Sequence, residues 1–303
     1  MPKTLQTASM TEPRSRAPRI DAHHHLWRYN EAEFAWISDE MALLRRDFLV
    51  SDLLGVIGEA GIDATIVVQA RQTLDETDWL LSCADATLAI CGVVGWAPLT
   101  EDNLVGELDR LADRNKLVGL REIVQAEPDG YMDRADFNRG IAQLSERGLA
   151  YDILIHERQL EEAIRLVDRH PRQRFILDHA AKPLISRGEL EPWSKRMQEL
   201  AKRENVACKI SGMVTEADWS RWSLEDLRPY LDTCVAAFGV ERLMAGSDWP
   251  VCLLATSYRR WWDVLAEYFA GFSQPEVSWV FGGAAASWYQ ISDFPSSSVE
   301  VSL

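Results

Sequence analysis

The chain offers no disulfide framework: its five cysteines are an odd number, and no two stand in a Cys-x-x-Cys pair. Their neighbours are small or apolar, as in Ile90-Cys91-Gly92 and Val251-Cys252-Leu253, which reads as buried reduced thiols in a cytoplasmic protein. No run of about 18 uncharged apolar residues occurs, so a membrane span is not expected. Residues 1–18 lack the apolar core of roughly 7–15 residues that a secretory signal needs, and residues 1–17 read as a disordered tail. Basic residues are few: 32 Lys and Arg against 47 Asp and Glu leave a net charge of −15. That field repels a phosphate backbone, which argues against nucleic acid and, more weakly, against anionic membranes as partners. No Gly-x-Gly-x-x-Gly follows the first strand-like run, which weakens a doubly wound nucleotide-binding sheet.

What is present is a regular alternation. Short β-branched or apolar runs fall at 18–25, 64–70, 88–96, 117–124, 150–156, 174–179, 206–212 and 242–248. Several, such as Thr65-Ile66-Val67-Val68, are almost continuously apolar, as parallel strands buried on both faces require. Between them lie segments of helical spacing at 52–60, 75–86, 137–147, 159–168, 192–204, 224–238 and 258–270. A last helix near 275–289 is expected to pack outside. Eight strand–helix units predict an α/β fold, a (β/α)₈ TIM-type barrel spanning 18–303 as a single domain. The length of 303 residues suits one such barrel.

In that fold the chemistry sits at the C-terminal ends of the strands. Five of the six histidines stand at those predicted ends, with Asp21-Ala22-His23-His24-His25 first, then His156 and Asp178-His179. Side chains alternate along a strand, so His23 and His25 share one side and His24 takes the other. Two imidazoles, a third from His179 and the Asp248 carboxylate suit a divalent metal that keeps a position open for water. Asp248 would then accept the proton of that water. The bland readings are a core role for His179 and a helix-capping role for Asp248. His156 reads as a further ligand or a substrate contact. Trp27, Trp36, Trp96 and Trp249 fall near strand ends, where they either stack on a sugar ring or fill space under loops. Lys209, alone in an apolar strand, either reaches the mouth or snorkels outward. The pair Glu161-Glu162 reads as a solvated helix face.

At these residues the sequence resembles the amidohydrolase superfamily, in the branch of sugar-lactone hydrolases that includes L-fuconolactonases and L-rhamnonolactonases. The resemblance rests on Ile20-Asp21-Ala22-His23-His24-His25-Leu26-Trp27, Leu177-Asp178-His179-Ala180-Ala181-Lys182-Pro183 and Ala245-Gly246-Ser247-Asp248-Trp249-Pro250. Cys208-Lys209-Ile210-Ser211-Gly212 belongs to it as well, and the blocks run from residue 18 to about 290. It implies opening of an aldonolactone to the aldonic acid, with His23, His25, His179 and Asp248 as metal ligands and Asp248 and His179 as catalytic residues. One divalent ion, zinc by expectation, is implied, although some members of this branch dispense with it. Gln69, Arg71, Arg121, His156 and the rim residues Trp27, Trp96 and Trp249 would hold the sugar. A dicarboxylate-lactone hydrolase or a metal-dependent decarboxylase is the alternative. Glu122, where the family often carries His, is expected at the mouth.

Overall fold

The computed structural model describes residues 17–292; the expected tail falls outside them apart from Ala17. Eight strands, β1 (Ile20–His24), β2 (Ala64–Val68), β3 (Ile90–Gly95), β4 (Leu117–Glu122), β5 (Ala150–Ile153), β6 (Phe175–Leu177), β7 (Val206–Ile210) and β8 (Leu243–Ala245), form one sheet in chain order. Each pairs in parallel with the next. The helices between them are α1 (Val50–Ala60), α2 (Leu74–Ala86), α3 (Leu104–Leu111), α4 (Ala135–Glu146), α5 (Leu160–Arg169), α6 (Trp193–Leu200), α7 (Leu224–Phe238) and α8 (Tyr258–Tyr268). The short helices α9 (Gln274–Ser278) and α10 (Ala284–Trp288) follow. This is the (β/α)₈ barrel that the alternation predicts.

The local causes are plain in the sequence. Helix α1 stops at Gly61, whose φ of 66° is open to glycine at little cost. Helix α7 starts at Ser223, where the Asp226 carboxylate accepts the Ser223 backbone N–H at 2.8 Å. Helix α3, absent from the sequence expectation, buries Leu104, Leu108 and Leu111 on one stripe. Glu162 departs from the expected solvated face: it is buried, and its carboxylate accepts the Gly130 N–H at 2.7 Å.

Two apolar layers divide the strands. Val93, Leu120, Ile153, Leu177, Cys208 and Ala245 face the helices, whereas Ile20, Ile66, Val94, Ile176, Ala207 and Met244 fill the barrel. Helix α10 does not pack outside, contrary to the sequence expectation. Its Ala284 and Ala285, with Tyr289 just after it, join the inner layer and plug the barrel. Two alanines and an adjacent glycine make that approach possible, since a side chain at Gly282 would strike the Pro18 carbonyl oxygen.

Above this plug lies a charged lattice with no exposure to solvent. Lys209 reaches inward from β7, to Asp152 at 2.5 Å, Asp178 at 2.9 Å and His23 Nδ1 at 3.2 Å. Tyr289 donates to Asp152 at 2.6 Å, and Arg121 pairs with Asp178 at 2.9 Å. Two cations thus meet two carboxylates, and each buried charge has a partner. Lys209→Met would leave Asp152 and Asp178 short of a cation inside the barrel. Urea unfolding should show a loss of about 3–5 kcal/mol; a loss below about 1 kcal/mol would mean that the lattice is not a stabilising unit.

Candidate active site

The first strand does not alternate simply. Its pairing with β2 shifts register between Asp21 and His24, and this bulge turns both Ala22 and His23 toward the barrel interior. Alternation resumes from there. His24 turns away and meets Thr65 Oγ1 at 3.0 Å, where burial pushes its pKa down to about 3. His25 turns back inward and donates its Nδ1 proton to the Val68 carbonyl at 2.8 Å. That bond fixes the tautomer and leaves the Nε2 lone pair facing His23 Nε2, 3.2 Å away.

The other two members stand on strained backbone. Residues 179–182 all have positive φ, from 49° to 59°, and Asp248 has φ 57°. Left-handed backbone at non-glycine residues costs on the order of 1–3 kcal/mol each and persists only where surrounding contacts impose it. Those contacts are visible. Trp193 Nε1 donates to the Ala180 carbonyl at 2.7 Å, and Asp248 N donates to the His23 carbonyl at 2.7 Å. Gly212 leaves room: a Cβ there would lie 2.6 Å from His179 Nδ1 and 3.0 Å from Asp248 Oδ2.

The four side chains converge on one atom. Asp248 Oδ1 lies 3.4 Å from His25 Nε2, 3.8 Å from His23 Nε2 and 3.9 Å from His179 Nε2. It is buried and accepts no hydrogen bond. Donors at about 2.1 Å around a tetrahedral ion stand roughly 3.4 Å apart, so these spacings suit a divalent metal. His23, His179 and Asp248 all bring donor atoms within 4.8 Å of one another. His179 meets Ser211 Oγ at 2.9 Å through Nδ1. Burial pushes the His179 pKa down to about 4, and burial likewise holds His23 well below the usual range, so both imidazoles are neutral near pH 7. Burial alone would raise Asp248, but His179 and His25 overcome it and hold the carboxyl below its usual pKa.

The expected sugar-binding residues divide. Gln69 is buried, with Nε2 donating to the Arg121 carbonyl at 3.1 Å and Oε1 unpartnered. Arg121 lies beneath the histidines, engaged with Asp178 and with the Gln69 carbonyl at 2.5 Å. Arg71 lies between Glu33 at 2.6 Å and Glu76 at 3.2 Å. His156 is half-buried, and Trp96 keeps part of its surface open. Trp27 and Trp249 correct the expectation: each is 1% exposed and packed against Phe48, filling space under the loops. Sequence reasoning missed Ser211, Asp21 and Asp152. A lone acid in an apolar strand, Tyr151-Asp152-Ile153, was the available signal for the last.

Residues 20–291 match the family described as Amidohydrolase. The chain is 40% identical over 289 residues to an L-fucono-1,5-lactonase of Burkholderia multivorans, covering 91% of this chain and 97% of that protein. It is 35% identical to an L-fucono-1,5-lactonase of Burkholderia ambifaria, covering 92% and 97%. A crystal structure of an amidohydrolase from Burkholderia multivorans with bound zinc superposes with a TM-score of 0.87 at 39% identity, covering 91% of this chain and all of that one.

Glu122 is the last residue of β4, at the C-terminal end of the strand as the sequence suggests. It lies buried behind Trp96, whose indole donates to it at 3.0 Å, and burial pushes its pKa up to about 7. An unfolded glutamate titrates near ~4.3, so the folded state holds its proton longer and stability falls as pH rises between about 4 and about 7. The full cost, on the order of 3 kcal/mol, is present only above that window. Glu122→Gln keeps an acceptor for Trp96 and should raise the thermal midpoint at about pH 8 while matching the parent near pH 4. An equal offset at both would show that the charge is not what the site resists.

Proposed function

The chain belongs to the amidohydrolase family, and from that premise we propose that it hydrolyses an L-fucono-, L-galactono- or L-rhamnono-type lactone to the open-chain aldonic acid. The observation that carries this reading is the buried, unpartnered Asp248 Oδ1 facing three imidazole nitrogens. Asp248, held as a carboxylate, takes a proton from the attacking water as the water oxygen bonds to the lactone carbonyl carbon. The tetrahedral intermediate then collapses, the ring C–O bond breaks, and Asp248 returns the proton to the departing ring oxygen. Water and lactone are consumed, and the acid and its free hydroxyl are formed.

His23, His25, His179 and Asp248 would hold the divalent ion, with zinc the choice for a three-nitrogen, one-carboxylate set. When bound it supplies Lewis acidity toward the lactone carbonyl. The Ser211 hydroxyl pairs with either tautomer of His179, so Nε2 serves as a lone pair for the ion or as a proton donor to the oxyanion. Trp96 and His156 remain at the rim for sugar hydroxyls, with Arg71 held between Glu33 and Glu76. Among the described residues no helix is long and apolar enough to cross a membrane, and free thiols at all five cysteines support a cytoplasmic setting.

The rival reactions on this fold are dicarboxylate-lactone opening and aromatic decarboxylation. Both call for guanidinium groups free to clamp carboxylates. Arg121 is buried on Asp178 and Arg71 is held by two glutamates, so neither is free. A pH-indicator assay over a panel of aldonolactones tests the proposal. Acid release on one of the three named types is expected, with the rate lowered by a chelator and restored by zinc. Silence across the panel would overturn the lactonase reading, and full activity of enzyme verified as metal-free would remove the ion from it.

A further inference from the structure

Lactone opening turns a neutral ester into an anion, first at the tetrahedral oxygen and then as the product carboxylate. An acidic protein needs a cation at that point, and the basic residues at or beneath the strand ends include Arg71, Arg121, Lys182 and Lys209. Arg71, Arg121 and Lys209 each have a carboxylate within 2.5–2.9 Å. Lys182 differs. Its one ion-pair partner among the described residues is Glu216 Oε1, 3.9 Å away and beyond hydrogen-bond length.

The Lys182 side chain is only 21% exposed, yet its three N–H donors have no protein acceptor among the described residues. Its backbone is the last of the four left-handed residues that begin at His179, and its N–H donates to the His179 carbonyl at 2.8 Å. The strained turn that presents His179 therefore also fixes where the lysine starts. Glu216 closes the short helical turn Met213–Glu216 that follows β7, so the Lys182–Glu216 approach bridges the C-terminal ends of β6 and β7. The ammonium thus stands on the C-terminal face of the barrel, between the turn after β6 that carries His179 and the segment after β7 that carries Glu216.

We propose that Lys182 is a substrate-contacting catalytic residue whose ammonium receives the oxyanion and then the carboxylate formed as the lactone ring opens. Glu216 restrains the side chain at a distance that leaves its donors free. The role rests on the lactonase reading, and it adds a cation that discriminates between the charged product and the neutral substrate. An arrangement of this kind stabilises the transition state more than the ground state, which raises kcat rather than lowering KM.

The test uses Lys182→Met, an unbranched replacement that places the same demands on the left-handed backbone, with Lys182→Arg beside it. On whichever lactone the parent opens, Lys182→Met should lower kcat about 10²-fold with KM within roughly threefold, as for loss of one oxyanion donor. Lys182→Arg should recover part of kcat. Inhibition by the aldonate product should weaken at least about tenfold in Lys182→Met, as loss of one charge-assisted hydrogen bond implies. Inhibition by a neutral cyclic polyol of the same ring should stay unchanged. A parent that opens no lactone would end the underlying reading. A parent that is active beside a Lys182→Met variant with unaltered kcat and unaltered aldonate inhibition would overturn this role alone.

Discussion

The arrangement depends on the seam where the last strand meets the first. β8 and β1 share no continuous ladder; the barrel is closed by bonds between the end of β1 and the residues just past β8. Asp248 N donates to the His23 carbonyl at 2.7 Å, and His25 N donates to the Trp249 carbonyl at 2.6 Å. Behind these bonds the buried Asp21 carboxylate gathers four donors: His23 N at 3.1 Å, Ser247 N at 2.8 Å, Ser247 Oγ at 2.6 Å and Tyr258 Oη at 3.0 Å. Burial pushes the Asp21 pKa up to about 6, so the bonds only partly offset its desolvation. Closing the barrel and aligning His23, His25 and Asp248 are one event. The left-handed backbone at Asp248 is the conformation in which that closure presents its carboxylate to the imidazoles.

Beneath the seam, the lattice of Asp152, Lys209, Asp178 and Arg121 supports His23 from below. It is close to neutral overall, so it can sit in a dry barrel without a large unpaired charge. Helix α10 completes it through Tyr289, which ties the end of the described chain to the floor of the site. The imidazoles are therefore gripped from two directions, by the seam and by the lattice. That rigidity is what a site needs when its ligands must hold within a fraction of an ångström.

The fold was legible because eight buried parallel strands leave eight apolar runs, and no local feature competes with that pattern. The expected strand ends overrun the hydrogen-bonded strands by one to three residues. The chemistry lies just past the hydrogen-bonded ladder, in the turn Asp178–Ala181 and in the segment after β8, where composition still looks strand-like. The pairing of His23 with His25 was read correctly from alternation, although a bulge upstream of His23 is what makes it hold. Tryptophan positions misled: Trp27 and Trp249 fall at strand ends but face the packing between loops, and sequence alone does not tell the two sides of a loop apart. Lys209 could not be placed because its partner, Asp152, lies two strands away along the sheet. Helix α3 carried its signal in the spacing of Leu104, Leu108 and Leu111 and was overlooked because Asp and Glu crowd the same stretch.

In the proposed reaction Asp248 moves the proton at a centre built by the seam. Steady-state kinetics of Asp248→Asn on the preferred lactone tests it most directly, because the amide keeps the size and the backbone turn but cannot accept the proton. A fall in kcat of about 10³-fold with an unaltered thermal midpoint is expected. Retention of most of the turnover would contradict it and require the base to be sought elsewhere in the mouth.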